Sequence, residues 1–515
     1  MKKINLYIWL VFIVFILGAC AEDYLDTRPT ADTATSTVFE TTENAALAIN
    51  GLNKMMTTQY LGSQGFNGEG TIKMYFGNYP GNHFYVNLSG WSNVINGNYH
   101  DNTSSTYDYY PWYYYYKLIG NANSIIEYID DAEGAEADRQ FIKAQALTHR
   151  AYSFLMLAQL YCKRWMDSQN GATDGIVLRT DLSIGDMALS TLAETYKRIY
   201  DDLDEAISLY TASGNTREFN YDPDINVAYA IYARAAITRQ DYGTAGTMAA
   251  KARDGYPLMS NSDYKAGFYT PTTEWIWSSY GAPDETLYYY SYFAYIAYNS
   301  NASNVRNYPK CISKELYDKI PGTDIRKEMF LDPEDYSYSS TTGQAGNALK
   351  AVAFEKYPDL YSTAKAFAYM QFKIKAEDLP GVGNLNHFRS SEMYLIEAEA
   401  AYFSENENGA RNALNALIRD SERDPSYECT AAGDNLLEEI KFYRAVELWG
   451  EGFDWFDLKR WGDSIDRKSY DDGGNFLSVL AVTYGPADRN EWTWKIPLKE
   501  TEYNDAINNG SISEE

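Results

Sequence analysis

Residues 226–254 read NVAYAIYARAAITRQDYGTAGTMAAKARD, with Asp222-Pro223 before them and Gly255-Tyr256-Pro257 after. Apolar residues recur at helical spacing on both sides of Gln240-Asp241-Tyr242-Gly243, a run whose residue types break helices. The spacing therefore predicts two amphipathic helices folded back as a hairpin, with the proline- and glycine-containing stretches as its stops. Small residues stand at Ala233, Ala235, Ala236 and Ala245. The same set recurs at Ala398, Ala400, Ala401 and Ala410, inside SSEMYLIEAEAAYFSENENGARNALNALIRD at 390–420.

Both sets place a small residue in the second helix twelve positions after one in the first, where two backbones must approach closely. That is the tetratricopeptide pattern. Tyr229 and Tyr394 stand four residues before Ala233 and Ala398, where the repeat takes an aromatic. Ala252 and Pro257 fill the later positions of the first copy well, and Leu417 and Glu422 fill them less well in the second. Residues 138–161 and 192–210 carry similar amphipathic spacing, the latter around Tyr200-Asp201-Asp202-Leu203-Asp204-Glu205-Ala206. Since three or more such units are needed to bury a continuous core, the expected fold is mainly α, a tetratricopeptide-like helical hairpin scaffold of about four units.

Two segments interrupt it. Residues 61–111 and 256–388 are rich in Gly, Asn, Ser, Tyr and Trp with little helical period, and are expected to be long irregular insertions that form a ligand-binding subdomain on the rigid scaffold. The chain holds 48 Tyr, 21 Phe and 11 Trp, 16% aromatic, more than packing of hairpins requires. Its 44 basic and 71 acidic side chains leave a net charge of −27, which repels phosphate backbones and excludes a nucleic-acid partner.

Lys2 and Lys3 precede an unbroken apolar run at 6–17, too short to span a bilayer but suited to a secretory signal. It ends at Leu17-Gly18-Ala19-Cys20, which resembles the lipobox of bacterial lipoproteins. Cys20 is thus expected to become the acylated first residue, the only membrane attachment. Ala21-Glu22-Asp23 behind it resembles a surface-export signal, and loss of Lys2 and Lys3 leaves the mature chain more acidic still. Cys162, Cys311 and Cys429 are too few and too scattered for a disulfide framework or a thiolate metal site.

No HExxH, GxSxG, Walker or GxGxxG motif appears, and His83, His100, His149 and His387 lack ligand spacing. Arg444, Glu447 and Glu451 fall at i, i+3 and i+7, one face of a helix. Two carboxylates there would suit a glycosidase, but the interleaved arginine and flanking Phe442, Leu448 and Trp449 favour a packed ionic network. The chain is expected not to be an enzyme. No cofactor is expected; a structural Ca²⁺ is compatible with the acidic surplus, but no regular loop locates it.

Several segments, in order, carry a resemblance to one family. These are Asp23-Tyr24-Leu25-Asp26; Thr37-Val38-Phe39 with a helix at 42–56; Trp112 through Asn121-Ala122-Asn123-Ser124-Ile125-Ile126; and Ala144-Gln145-Ala146 with Arg150-Ala151-Tyr152, where Gln145 replaces the usual Glu. Arg389 with Glu392-Met393-Tyr394-Leu395 and Ala398-Glu399-Ala400 follows. The most specific stretch runs from Arg444 through Glu447-Leu448-Trp449-Gly450-Glu451-Gly452 to Asp457-Leu458-Lys459-Arg460-Trp461-Gly462, and Ile496-Pro497-Leu498 with Glu502 and Asn504 closes the set. Together they resemble the SusD/RagB nutrient-binding outer-membrane lipoproteins over almost the whole chain.

The resemblance implies a lipid-anchored, surface-exposed protein of the outer membrane that captures oligosaccharides and hands them to a SusC-like TonB-dependent transporter. It divides the chain into a signal peptide at 1–19, a tether and first helix at 20–60, an insertion contributing to the ligand site at 61–111, helical units at 112–255, a loop-rich ligand-binding insertion at 256–388 and the C-terminal unit with the signature region at 389–515. Peptide uptake of the RagB type, a surface glycoside hydrolase and a tetratricopeptide docking scaffold for a protein partner remain open alternatives.

A pyranose offers an apolar C–H face ringed by hydroxyls, so its sites pair aromatic faces with planar polar side chains. On that composition the ligand-binding candidates are Tyr79, Asn82, His83, Tyr85, Trp91 and Asn93 in the first insertion. In the second they are Tyr288, Tyr292, Tyr298, Asn299 and Arg306. Trp112, Trp275, Trp277, Trp449, Trp455 and Trp461 read as packing residues.

Overall fold

The computed structural model describes residues 38–60, 65–282 and 290–510. The signal peptide, Cys20, the segment Asp23-Tyr24-Leu25-Asp26 and Tyr288 lie outside the described residues. The scaffold consists of α1 (Thr42–Met55), α2 (Thr106–Tyr128), α3 (Glu136–Tyr161), α4 (Leu192–Ser213), α5 (Ile225–Thr238), α6 (Tyr242–Ala252), α7 (Ser390–Phe403), α8 (Glu407–Ile418), α9 (Asp434–Glu447) and α10 (Asp454–Trp461). Starts are set by side-chain caps: Ser105, Asp224, Asp241 and Asn406 each accept a backbone N–H of the first turn. Thr191 and Glu194 form a reciprocal capping box on α4.

Consecutive helices pack into one array, α2 on α3, α3 on α4, α4 on α5, α5 on α6, α7 on α8 and α8 on α9. The α5–α6 and α7–α8 hairpins are the two read from residues 226–254 and 390–420, and Ala233, Ala245, Ala398 and Ala410 are fully buried. The array continues from α6 to α7 although more than a hundred residues intervene. A Cβ on Gly246 would lie only 3.5 Å from the Ala400 Cβ, so small residues bring these two helices together as well. Between α6 and α7 the chain makes short helices and strands of its own. Strand β2 (Trp275–Ser279) pairs antiparallel with β4 (Leu385–Arg389), closing the second insertion at its base with Trp275 and Trp277 buried.

The two insertions are joined to each other. Strand β1 (Phe84–Val86) of the first pairs antiparallel with β3 (Lys310–Ile312) of the second, Tyr85 opposite Cys311. Both then dock on the turn that follows α9. There Gly450 and Gly452 take φ of 81° and 90°, a conformation that favours glycine. Asn78 donates to the Gly450 carbonyl and accepts from Gly452 N–H, each at 2.8 Å, while the Tyr292 hydroxyl donates to the same Gly450 carbonyl at 2.6 Å. Lys73 donates to the Glu451 carbonyl, and the Trp449 indole to the His83 carbonyl. Approach is so close that a Cβ on Gly77 would stand 2.1 Å from the Gly452 oxygen.

Beneath this turn lies a fully buried ionic network. Arg389 donates to Glu274, Glu447 and Glu451 carboxylates at 2.7–2.9 Å and to the Glu447 carbonyl. Lys373 joins Glu451, and Arg326 spans Asp324 and Glu447. Arg423 stands 3.8 Å from Glu274, so four cations face four carboxylates in a space closed to water. The expected single helical face of Arg444, Glu447 and Glu451 is corrected here. Helix α9 stops at Glu447, Glu451 lies in the turn beyond it, and Arg444 pairs with Asp457 at 2.6 Å, which also holds Arg460. The neutralising arginine comes from β4, 58 residues away in sequence.

Candidate functional site

The loop from Tyr79 to Asn96 is held from below by Arg467. This buried guanidinium donates to the carbonyls of Tyr79, Gly81 and Ile95 and to the Asn96 side chain at 2.7–3.1 Å. Asp454, at the start of α10, accepts from His83 N–H at 2.7 Å, and Asn82 is clamped between the Ser464 carbonyl and Asp466 N–H. The family-like C-terminal stretch thereby fixes the shape of the first insertion.

Around that loop a group of rings is graded from core to surface. Phe66, Tyr75, Tyr79 and Tyr295 are buried, and Trp91, Tyr99, Tyr107 and Tyr290 are partly exposed above them. Trp91 meets Tyr75 edge-on at 5.8 Å and Tyr295 at 6.2 Å, and Tyr99 stacks on Tyr107 at 4.7 Å. Burial, with neighbouring hydroxyls adding, pushes the Tyr75 and Tyr79 phenols far up, so these rings stay neutral. Asn93, two residues after Trp91 in the chain, accepts from the Asn98 amide at 3.1 Å, and Asn93 is exposed. Next to Tyr290 a groove runs between the insertions, lined by Asn67, Ser291, Tyr292 and 378–383. Asn67 donates to the Tyr290 carbonyl, and its buried Oδ1 has no partner. The arrangement can present flat apolar ring faces flanked by amide donors and acceptors.

Of the sequence candidates, Trp91 and Asn93 stand on this rim, while Asn82 and His83 face a different cleft beside α9 and α10. Tyr79, Tyr85, Tyr298 and Asn299, expected as ligand contacts, are instead buried in packing positions, and Tyr292 is buried as well but lines the groove. Tyr79 stacks on Tyr75 and touches Phe84, and Tyr85 sits in β1 against Phe476. Tyr292 anchors the Gly450 turn, Tyr298 packs on Tyr357 and Phe372, and Asn299 bonds both backbone groups of Ala376. Arg306 donates to Thr363 within the second insertion, apart from the rim. Asn67, Tyr99, Tyr107 and Tyr290 join the candidate site without having been singled out by spacing, and all lie in the segments marked by composition.

Trp112, Trp275, Trp277, Trp449 and Trp455 are buried, and Trp461 is partly exposed. Among the described residues no group of three or more His, Cys, Asp or Glu is placed to hold a metal ion, and no helix is long and apolar enough to cross a membrane.

Two family models match successive parts of the chain, one described as starch-binding and associating with the outer membrane over residues 23–237, the other as the SusD family over residues 246–512. No curated protein matches. Among solved structures, a SusD-like carbohydrate-binding protein from Bacteroides vulgatus is 23% identical with a TM-score of 0.73, covering 91% of this chain and 98% of its own. A SusD superfamily protein from Bacteroides thetaiotaomicron is 21% identical at 0.71, over 91% and 99%. Another from Bacteroides fragilis is 20% identical at 0.67, over 92% and 100%. The helical array and the two docked insertions are thus a shared fold, and the chain belongs to the SusD family.

Proposed function

We propose that this protein is a non-catalytic glycan-capture lipoprotein, tethered to the outer membrane through Cys20, that binds an oligosaccharide at the Trp91 rim and passes it to a TonB-dependent transporter. The observation that carries the binding is the rim itself, partly exposed rings over a rigid aromatic base with Asn93 and Asn98 alongside. Stacking on such a ring while amides satisfy the neighbouring hydroxyls is the chemistry a pyranose needs. Support for the sugar class comes from the starch-binding description of the family matched at residues 23–237 and from the carbohydrate-binding relative. The lipobox-like Leu17-Gly18-Ala19-Cys20 supports the tether.

The test uses residues 21–515 as a soluble protein against panels of neutral oligosaccharides and oligopeptides. A glycan is retained without release of reducing ends, and Trp91→Ala weakens it by about 1–2 kcal/mol, roughly five- to thirty-fold, with the thermal midpoint unchanged. Selective retention of peptides, or cleavage of the glycan, contradicts this reading.

A further inference from the structure

Behind the Trp91 rim lies a second concavity of about 480 Å³, between the Asn82–His83 loop, α9 and α10. Its lining includes none of the rim residues Trp91, Asn93, Asn98, Tyr99, Tyr107 and Tyr290, and the rings Tyr75, Tyr79 and Phe84 run from Trp91 to its wall. Three aromatic side chains, Phe442, Phe453 and Trp461, are only partly buried along it, as are Asn82 and His83.

Arg444 forms part of its wall and is 97% buried, 3% of it being exposed. The Nε of Arg444 donates to Asp457 at 2.6 Å, but Nη1 has no partner, an unusual state for a buried guanidinium donor. The remaining charges are mixed: Lys441 is held by Asp463 at 2.8 Å, Asp454 is cradled by the His83 N–H, and Lys319, Glu438, Glu439 and Asp457 also line the cleft. An anionic ligand would meet Glu438, Asp454 and Asp463, and a cationic one Arg444 and Lys441. A neutral molecule with many hydroxyls meets a donor or an acceptor on each side and aromatic carbon between.

We propose that this cleft is a second carbohydrate site, one that takes a short neutral oligosaccharide through His83, Phe442 and the Arg444 wall. It rests on the carbohydrate reading of the chain but not on the Trp91 rim. Two sites linked through one run of aromatic rings would hold a long glycan at two points, raising its retention without any new chemistry.

Calorimetric titration of residues 21–515 with maltoheptaose, xylohexaose and cellohexaose tests it. The expected result is two sites per chain for the sugar that binds. Paired His83→Ala and Phe442→Ala changes should weaken one class at least tenfold and leave the other, and Trp91→Ala should do the reverse. Ala445→Trp, which adds bulk at the half-buried edge of the cleft, should block the same class without removing a contact. A single site per chain, lost with Trp91→Ala and indifferent to the cleft variants, overturns the second site while leaving the rim. Binding that survives Trp91→Ala but vanishes in the cleft variants supports the second site and refutes the rim. Binding of none of the three sugars, or occupation of the cleft by oligopeptides instead, overturns the proposal.

Discussion

Replacing Arg389 with methionine keeps most of the side-chain stem but deletes a guanidinium that makes five hydrogen bonds to Glu274, Glu447 and Glu451. All four side chains are essentially closed to solvent, so the carboxylates cannot recover those bonds from water. Lys373, Arg326 and Arg423 remain, leaving three cations for four carboxylates. Breaking a buried network by removing one partner costs about 3–5 kcal/mol.

The cost should depend on pH, and the sign follows from the carboxyls. Burial alone would raise Glu447 and Glu451, but the cations, Arg389 foremost, override it and hold both below the ordinary glutamate range. In the native protein this contributes stability that is present above an ordinary glutamate pKa and lost as pH falls through the depressed one. Without Arg389 burial regains ground, the carboxyls rise, and protonation relieves the variant as pH is lowered. Urea unfolding followed by far-ultraviolet circular dichroism should therefore show Arg389→Met destabilised by about 3–5 kcal/mol at pH 7.5 and by clearly less at pH 5. A cost under about 1 kcal/mol at pH 7.5, or one that is flat with pH, refutes the network as described.

Three other perturbations probe different parts of the molecule. Asp108, buried at the start of α2 with neither carboxylate oxygen partnered, is pushed up to about 8 by burial, with Asp101 adding to it. A raised folded value means the native state loses stability as pH climbs from about 4 toward 8, so Asp108→Asn should match the wild type near pH 4 and exceed it by about 2 kcal/mol or more at pH 8.5 in the same urea assay. Gly77→Ala would drive a methyl onto the Gly452 carbonyl and should cost about 1–3 kcal/mol, read as a lower thermal midpoint. Arg467→Met removes the brace of the Tyr79–Asn96 loop; hydrogen exchange there should rise while α5 to α8 stay protected.

The hairpins were legible because close helix approach demands small residues at a fixed offset, and Ala233 with Ala245 and Ala398 with Ala410 carry that demand locally. The continuation from α6 to α7 was not, since Gly246 and Ala400 lie far apart in sequence and only the fold brings them together. Glu447 and Glu451 were recognisable as network members, yet their partner Arg389 comes from a strand no helical spacing could identify. In the insertions, composition located the region but not the role of each ring. Tyr79, Tyr85, Tyr292 and Tyr298 look like Trp91 in a sequence of Gly, Asn and aromatics. They differ in what covers them, because insertions of this length build cores of their own and use tyrosine to fill them, as Tyr292 does with its hydroxyl on the Gly450 carbonyl.

Titration of soluble residues 21–515 with neutral oligosaccharides, with reducing ends assayed on the same samples, tests the central claim most directly. The account predicts saturable binding of at least one oligosaccharide, weakened by Trp91→Ala, and no increase in reducing ends on prolonged incubation. Absence of any glycan binding alongside tight binding of oligopeptides, or a steady release of reducing ends, would contradict it.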